Sequence, residues 1–115
     1  MPSFKTTQAM RNAARLGLEL RRKFGRGGLT TREAGRQGIG SGVARATAIA
    51  SGKDIPIETV RRMRAYFARH AVDKRARGWG SRTNPSAGYI AWLLWGGDPG
   101  RRWADRIVAA YDKRD

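Results

Sequence analysis

The sequence predicts an all-α fold: one compact domain, residues 1–115, of five to six helices that ends in a C-terminal helical hairpin. Three observations predict it. Apolar residues return at the three-to-four spacing of a helix in each long segment. No stretch alternates with the period of two that a half-buried strand needs. Glycine, proline, serine or threonine punctuates the segments where helices start and stop. A chain of this length fits one domain and leaves little room for a second.

Thr6 or Thr7 caps a first helix running to about Phe24. Met10, Ala13, Ala14, Gly17, Leu20 and Phe24 make one apolar stripe, with Arg11, Arg15 and Arg22 on the opposite side. Gly25 ends that helix, and "GRGG" (25–28), which carries Arg26, is a flexible basic turn. A short helix follows from Thr30 or Thr31, with Glu33 placed in its first turn, where a carboxylate suits the dipole. "GIGSG" (38–42) interrupts it. "VARATAIA" then forms a third helix, carrying Arg45 and closed by Gly52, with Ala44, Ala48 and Ile49 available for close packing. Pro56 fits the first turn of a fourth helix and Glu58 complements its dipole. Val60, Met63, Phe67 and Ala71 form its buried stripe, widened by Tyr66 and His70, while Arg61, Arg62 and Arg69 point away.

Residues 73–88 have no apolar period and many turn formers, which predicts a long basic loop over 73–85 carrying Lys74, Arg75, Arg77, Trp79 and Arg82. The uncharged block "AGYIAWLLW" is helical from about Ser86 to Trp95 and is only about half as long as a bilayer span. Gly96 and Gly97 stop it. Asp98 is expected as the cap of the last helix and Pro99 as its first residue. Trp103, Ile107, Ala110 and Tyr111 give that helix its apolar face, and Asp105 can pair with Arg101 or Arg102. Tyr89, Ile90, Leu93 and Leu94 lie on several sides of the preceding helix, so the hairpin is expected to be mostly buried and structural. Trp92 or Trp95 is placed to reach the surface.

There are 24 Lys and Arg against 9 Asp and Glu, a formal charge of +15, and 19 of the cations are Arg. Such an excess repels itself and fits a polyanionic partner, and the planar guanidinium fork suits phosphate. A GC-rich genome would give the same arginine bias without a functional reason. Cysteine is absent, so disulfides, thiolate metal sites and cysteine nucleophiles are excluded, and the single histidine, His70, excludes a multi-histidine metal site. No signal-peptide core or membrane span is expected, which predicts a cytoplasmic or virion-internal protein without membrane association. The carboxylates sit at helix starts and in the tail, and no pair is spaced for acid–base work. The expectation is a non-enzyme with no cofactor and no metal; the sequence leaves open a metal-dependent nuclease assembled from scattered Asp and Glu.

Two local patterns carry alternatives. "GIGSG" is either a tight turn or an anion cradle at a helix start; no Gly-Lys-Ser/Thr follows it and no strand precedes it. Trp79, within "RARGWGSR", either stacks on a base or tucks back to anchor the loop on the core. Residues 30–67 resemble a Cro-type helix-turn-helix. Ala34 and Gly38 stand four apart, and "SGKDIPIETVRRM" is similar to the segment after the recognition helix. Glu33, Gln37 and Thr47 depart from the motif's apolar positions. That resemblance implies a major-groove role for Ser41 and Arg45.

Over nearly its whole length the chain also resembles a small basic domain recurring in phage-encoded proteins, including those of marine phages. "GVARA", "ARHAVDK" and "PSAGYIAWLLWGGDPGRRWA" carry the likeness. It implies a phage or prophage origin and no particular activity. In similar phage sequences "TTREAGRQGIGS" is shortened or absent, which opposes the helix-turn-helix reading.

The expected function is binding of nucleic acid, DNA ahead of RNA, mainly through phosphates. Two segments supply the charge: residues 11–36 with eight Lys and Arg, and residues 61–82 with eight more. The contact residues expected are Arg11, Arg15, Arg22, Arg26 and Arg45, then Arg61, Arg62 and Arg69, and in the loop Lys74, Arg75, Arg77, Trp79 and Arg82. The alternatives are a virion or host-interaction protein whose basic face meets an acidic protein surface, and a sequence-specific repressor.

Overall fold

The computed structural model describes residues 2–37 and 41–113. Six helices carry the fold: α1 (Gln8–Phe24), α2 (Thr31–Gln37), α3 (Gly42–Ala50), α4 (Ile57–His70), α5 (Ala87–Leu94) and α6 (Gly97–Asp112). The class is therefore all-α. A two-residue antiparallel pairing of β1 (Ser3–Phe4) with β2 (Ile55–Pro56) joins the N-terminus to the start of α4. The period-two search could not find so short a ladder. Trp103 Nε1 secures the same strap by donating to the Lys5 carbonyl at 3.0 Å.

Helix α1 is the central element and packs against α3, α5 and α6, while α4 lies along α6. Thr7 caps α1, its Oγ1 accepting from the Met10 amide, and Gly25 ends it in the left-handed region at φ 66°. The inward face is Met10, Ala14, Gly17 and Leu20, close to the stripe read from the sequence. A reciprocal capping box starts α2. The Thr30 amide donates to Glu33 Oε1 and the Glu33 amide to Thr30 Oγ1.

Several expectations need correction. Helix α3 buries Gly42, Ala46 and Ile49, one face at four and three residue steps, while Ala44 is exposed. Pro56 is the N-cap of α4 rather than part of its first turn. The expected loop begins later than residue 73, because Ala71–Arg75 form a 3-10 turn. Gly96 takes the N-cap position of α6, so Asp98 sits inside its first turn and not at the cap. The buried face of α6 is Gly97, Gly100, Trp103, Ala104 and Val108; Ala110 is exposed and Ile107 and Tyr111 are half-buried. Asp105 pairs across to Arg64 of α4 rather than along its own helix. Asp112 ends α6 instead of lying in a free tail.

The buried residues form one cluster, in which Trp92, Phe67, Met10, Ile49 and Leu94 are among the largest fully enclosed side chains. The α5–α6 hairpin contributes Ile90, Trp92, Leu93, Leu94, Trp103, Ala104 and Val108 to it, mostly buried as expected. Of the two tryptophans placed near the surface, Trp92 is 1 % exposed, whereas Trp95 is half-buried. Among the described residues, no helix is long and apolar enough to cross a membrane.

Candidate functional site

Helix α4 fixes the geometry of the charged surface. Its buried side includes Val60, Met63 and Phe67, with Tyr66 buried at its edge, and the remaining residues split into two flanks on either side of Ala65. Arg61 and Arg64 fall on the flank facing α6. Arg62, Tyr66 and Arg69 share the other, at the four- and seven-residue spacing that keeps side chains on one face.

The α6 flank is a groove of about 510 Å³ lined by Arg61, Arg64, Arg101 and Asp105, among others. The two α4 arginines in it are paired. Arg61 reaches Asp112 at 2.7 Å and Arg64 reaches Asp105 at 3.5 Å. The Arg61 hydrogen bond, together with the nearby Arg61 and Arg64 charges, holds the Asp112 carboxyl below its usual range despite slight desolvation. Arg61 is raised in turn, chiefly by that bond.

The opposite flank is a second groove, of about 400 Å³, between α4, the start of α3 and Trp95. Arg62 and Arg69 line it, with Tyr66, His70 and Trp95 as aromatic floor. The Trp95 and Tyr66 rings stack at 4.5 Å and 9° between planes, and His70 stacks on Tyr66 at 4.5 Å and 30°. His70 Nδ1 meets Asp73 Oδ2 at 3.1 Å, and the ring is half-buried beside the apolar stripe of α4. Arg45 adjoins from α3. Burial, then repulsion from Arg62, lowers its guanidinium pKa, and its Nε is buried with no hydrogen-bond partner among the described residues. Tyr66 Oη is likewise buried and unpartnered. Burial first, then the Asp73 charge, outweighs Arg69 and pushes the Tyr66 phenol well above its ordinary pKa, so it stays neutral. No carboxylate forms an ion pair with Arg45, Arg62 or Arg69 among the described residues.

The other expected contact residues scatter. Arg11 turns inward to the N-terminal segment, donating to the Thr6 carbonyl at 2.6 Å and Thr6 Oγ1 at 2.9 Å. Arg15 donates to the Ala50 carbonyl, closing the end of α3. Arg26 tethers the loop after the 3-10 turn through Asn84 Oδ1 and the Pro85 carbonyl. Lys74 reaches Asp98 at 2.9 Å while lying over the Trp92 and Trp79 rings. Trp79 is half-buried and packs edge-on against Tyr89 at 5.2 Å and Trp92 at 5.4 Å. These contacts hold the loop against the core. Arg22, Arg75, Arg77 and Arg82 remain exposed.

Ser41 spends its hydroxyl inside the fold, accepting from the Ala44 amide and donating to the Leu29 carbonyl. The "GIGSG" turn and the turn of the helix-turn-helix likeness fall largely on residues 38–40, outside the described residues. No group of three or more His, Cys, Asp or Glu that could hold a metal exists among the described residues.

The sequence reading did not bring Tyr66, His70 and Trp95 together, although it placed Trp92 or Trp95 near the surface. The register of Arg62, Ala65, Tyr66 and Arg69 was a legible signal for the first of these. Trp95 comes from a distant segment, and no local pattern links it to α4. Comparison with protein-family models, curated proteins and solved structures finds no match to this chain.

Proposed function

We propose that this chain is a non-enzymatic nucleic-acid-binding protein that grips mainly the phosphate backbone, DNA ahead of RNA, through the α3–α4 flank. The observation that carries this is the charge imbalance of the two flanks. Arg61 and Arg64 are matched by Asp112 and Asp105, whereas Arg45 and Arg62 repel one another with no carboxylate paired to either among the described residues. Like charges held together at a half-buried position are a standing cost, and a polyanion relieves it by charge-assisted hydrogen bonds to the guanidinium forks. The exposed Arg22, Arg75, Arg77 and Arg82 add long-range attraction. The resemblance to phage-encoded proteins supports a phage setting as part of this reading, with viral nucleic acid in the host cell or inside the virion as the partner.

The test is fluorescence anisotropy with labelled duplex and single-stranded DNA and RNA across low to moderate salt. Affinity is expected to fall with a log–log slope of about 2 to 3, the value for neutralising three phosphates. Affinity that hardly changes with salt would overturn the proposal. Tight binding to an acidic capsid or host protein, with none to nucleic acid, would establish the virion or host-interaction reading instead. The repressor reading finds no such support, since Ser41 is already committed within the fold.

A further inference from the structure

We infer that the α3–α4 groove accepts one unstacked nucleotide of a single strand, its base extending the ring column of Trp95, Tyr66 and His70. This rests on the nucleic-acid-binding reading above and deepens it. Trp95 and His70 both stack on Tyr66 with ring centroids 4.5 Å away, at 9° and 30° between planes, so the three rings make one continuous aromatic surface. The column begins against the core and ends on an imidazole whose side chain is 42 % exposed. Asp73 holds that ring through Nδ1, which fixes its plane. A planar base lying on the outer imidazole face becomes the fourth layer, and its phosphate then falls within the reach of Arg69 and Arg62, which line the same groove.

The groove has room for this. Its volume of about 400 Å³ suits one nucleotide rather than a helix of duplex. A duplex offers its phosphates to the arginines but keeps its bases stacked on each other. Only a single strand can give up a base to the column. The chemistry selects strandedness, not base identity, because every base has a stacking face.

The test compares a labelled oligothymidylate with a blunt duplex of equal length, for the wild type and for His70→Ala and His70→Phe. Circular dichroism and thermal melting confirm that each variant folds. The wild type is expected to prefer the single strand by on the order of tenfold, the factor one stacked base supplies. His70→Ala should lose that preference while keeping salt-dependent binding, and His70→Phe should retain it, since a ring without charge still stacks. Equal affinity for both polymers, or a preference unchanged in His70→Ala, would overturn the stacking role and leave the phosphate-binding proposal standing. Absence of binding to either polymer would overturn both.

Discussion

Asp98 shows how single residues of this basic chain are spent. Its Oδ1 accepts from Trp92 Nε1 at 2.9 Å and from Lys74 Nζ at 2.9 Å, tying the 3-10 turn and α5 to the first turn of α6. Partial burial alone would push the carboxyl up. The bonds from Lys74 and Trp92, with the Lys74 and Arg102 charges, outweigh that and hold it below its ordinary pKa. A carboxylate depressed in the folded state contributes stability present above its unfolded pKa and lost as pH falls through the folded one. Asp98→Ala strands the indole N–H of a tryptophan 1 % exposed, so urea unfolding should show a loss of about 1–3 kcal/mol at neutral pH. Asp98→Asn keeps an acceptor for Trp92 and should cost less, about 1 kcal/mol or below, because the lost pair with Lys74 is half-exposed. Both variants should flatten the acid limb of the stability curve. An unchanged acid limb in both would show that the carboxylate carries no pH-linked stability.

At the scale of elements, the approach of α1 to α5 depends on Gly17. A Cβ there would stand 2.8 Å from the Leu94 backbone nitrogen and 3.0 Å from Leu93 Cβ. Backbone cannot yield as a side-chain tip can, so the helices must part. Gly17→Ala gains about 1 kcal/mol of helix propensity and loses about 1–3 kcal/mol to overpacking, a net destabilisation. Gly35→Ala, in α2 with nothing within 4 Å of its Cβ, is the control, and should be neutral or stabilising by up to about 1 kcal/mol. If the two variants melt alike, α1 and α5 are not in close contact at Gly17. The same elements explain what was legible in the sequence. Helix starts and stops are local chemistry, so Thr7, Ser86, Gly25 and Gly96 announce themselves. The β1–β2 strap, the Arg64–Asp105 pair and the bonds of Asp98 join residues far apart in sequence, where periodicity carries no information. The groove was half legible: Arg45, Arg62 and Arg69 follow from composition and register, and Trp95 was one of two tryptophans placed near the surface, but Tyr66 and His70 were read as core and nothing local joined the three rings.

Across the whole molecule, the few carboxylates are deployed as cross-links. Asp98, Asp105 and Asp112 each hold a cation from another element, and Glu33 pairs with Arg21. A chain of formal charge +15 thereby pairs Arg61 and Arg64 on the α6 flank of α4, while no ion pair holds Arg62 or Arg69 on the α3 flank among the described residues. The two flanks sit on one helix, so paired variants can separate field from contact. Arg62→Ala with Arg69→Ala and Arg61→Ala with Arg64→Ala remove the same formal charge. If contact matters, the first pair should weaken binding on the order of tenfold or more and reduce the salt slope by about 1.5 to 2, one phosphate per arginine. The second pair should leave the slope nearly unchanged and cost at most about 1 kcal/mol of stability per exposed ion pair. Relief of the Arg45–Arg62 repulsion predicts, in addition, that the first pair melts no lower than the wild type. Equal losses of slope in both variants would mean that the polyanion senses only net charge, and the α3–α4 flank would lose its claim to be the contact face.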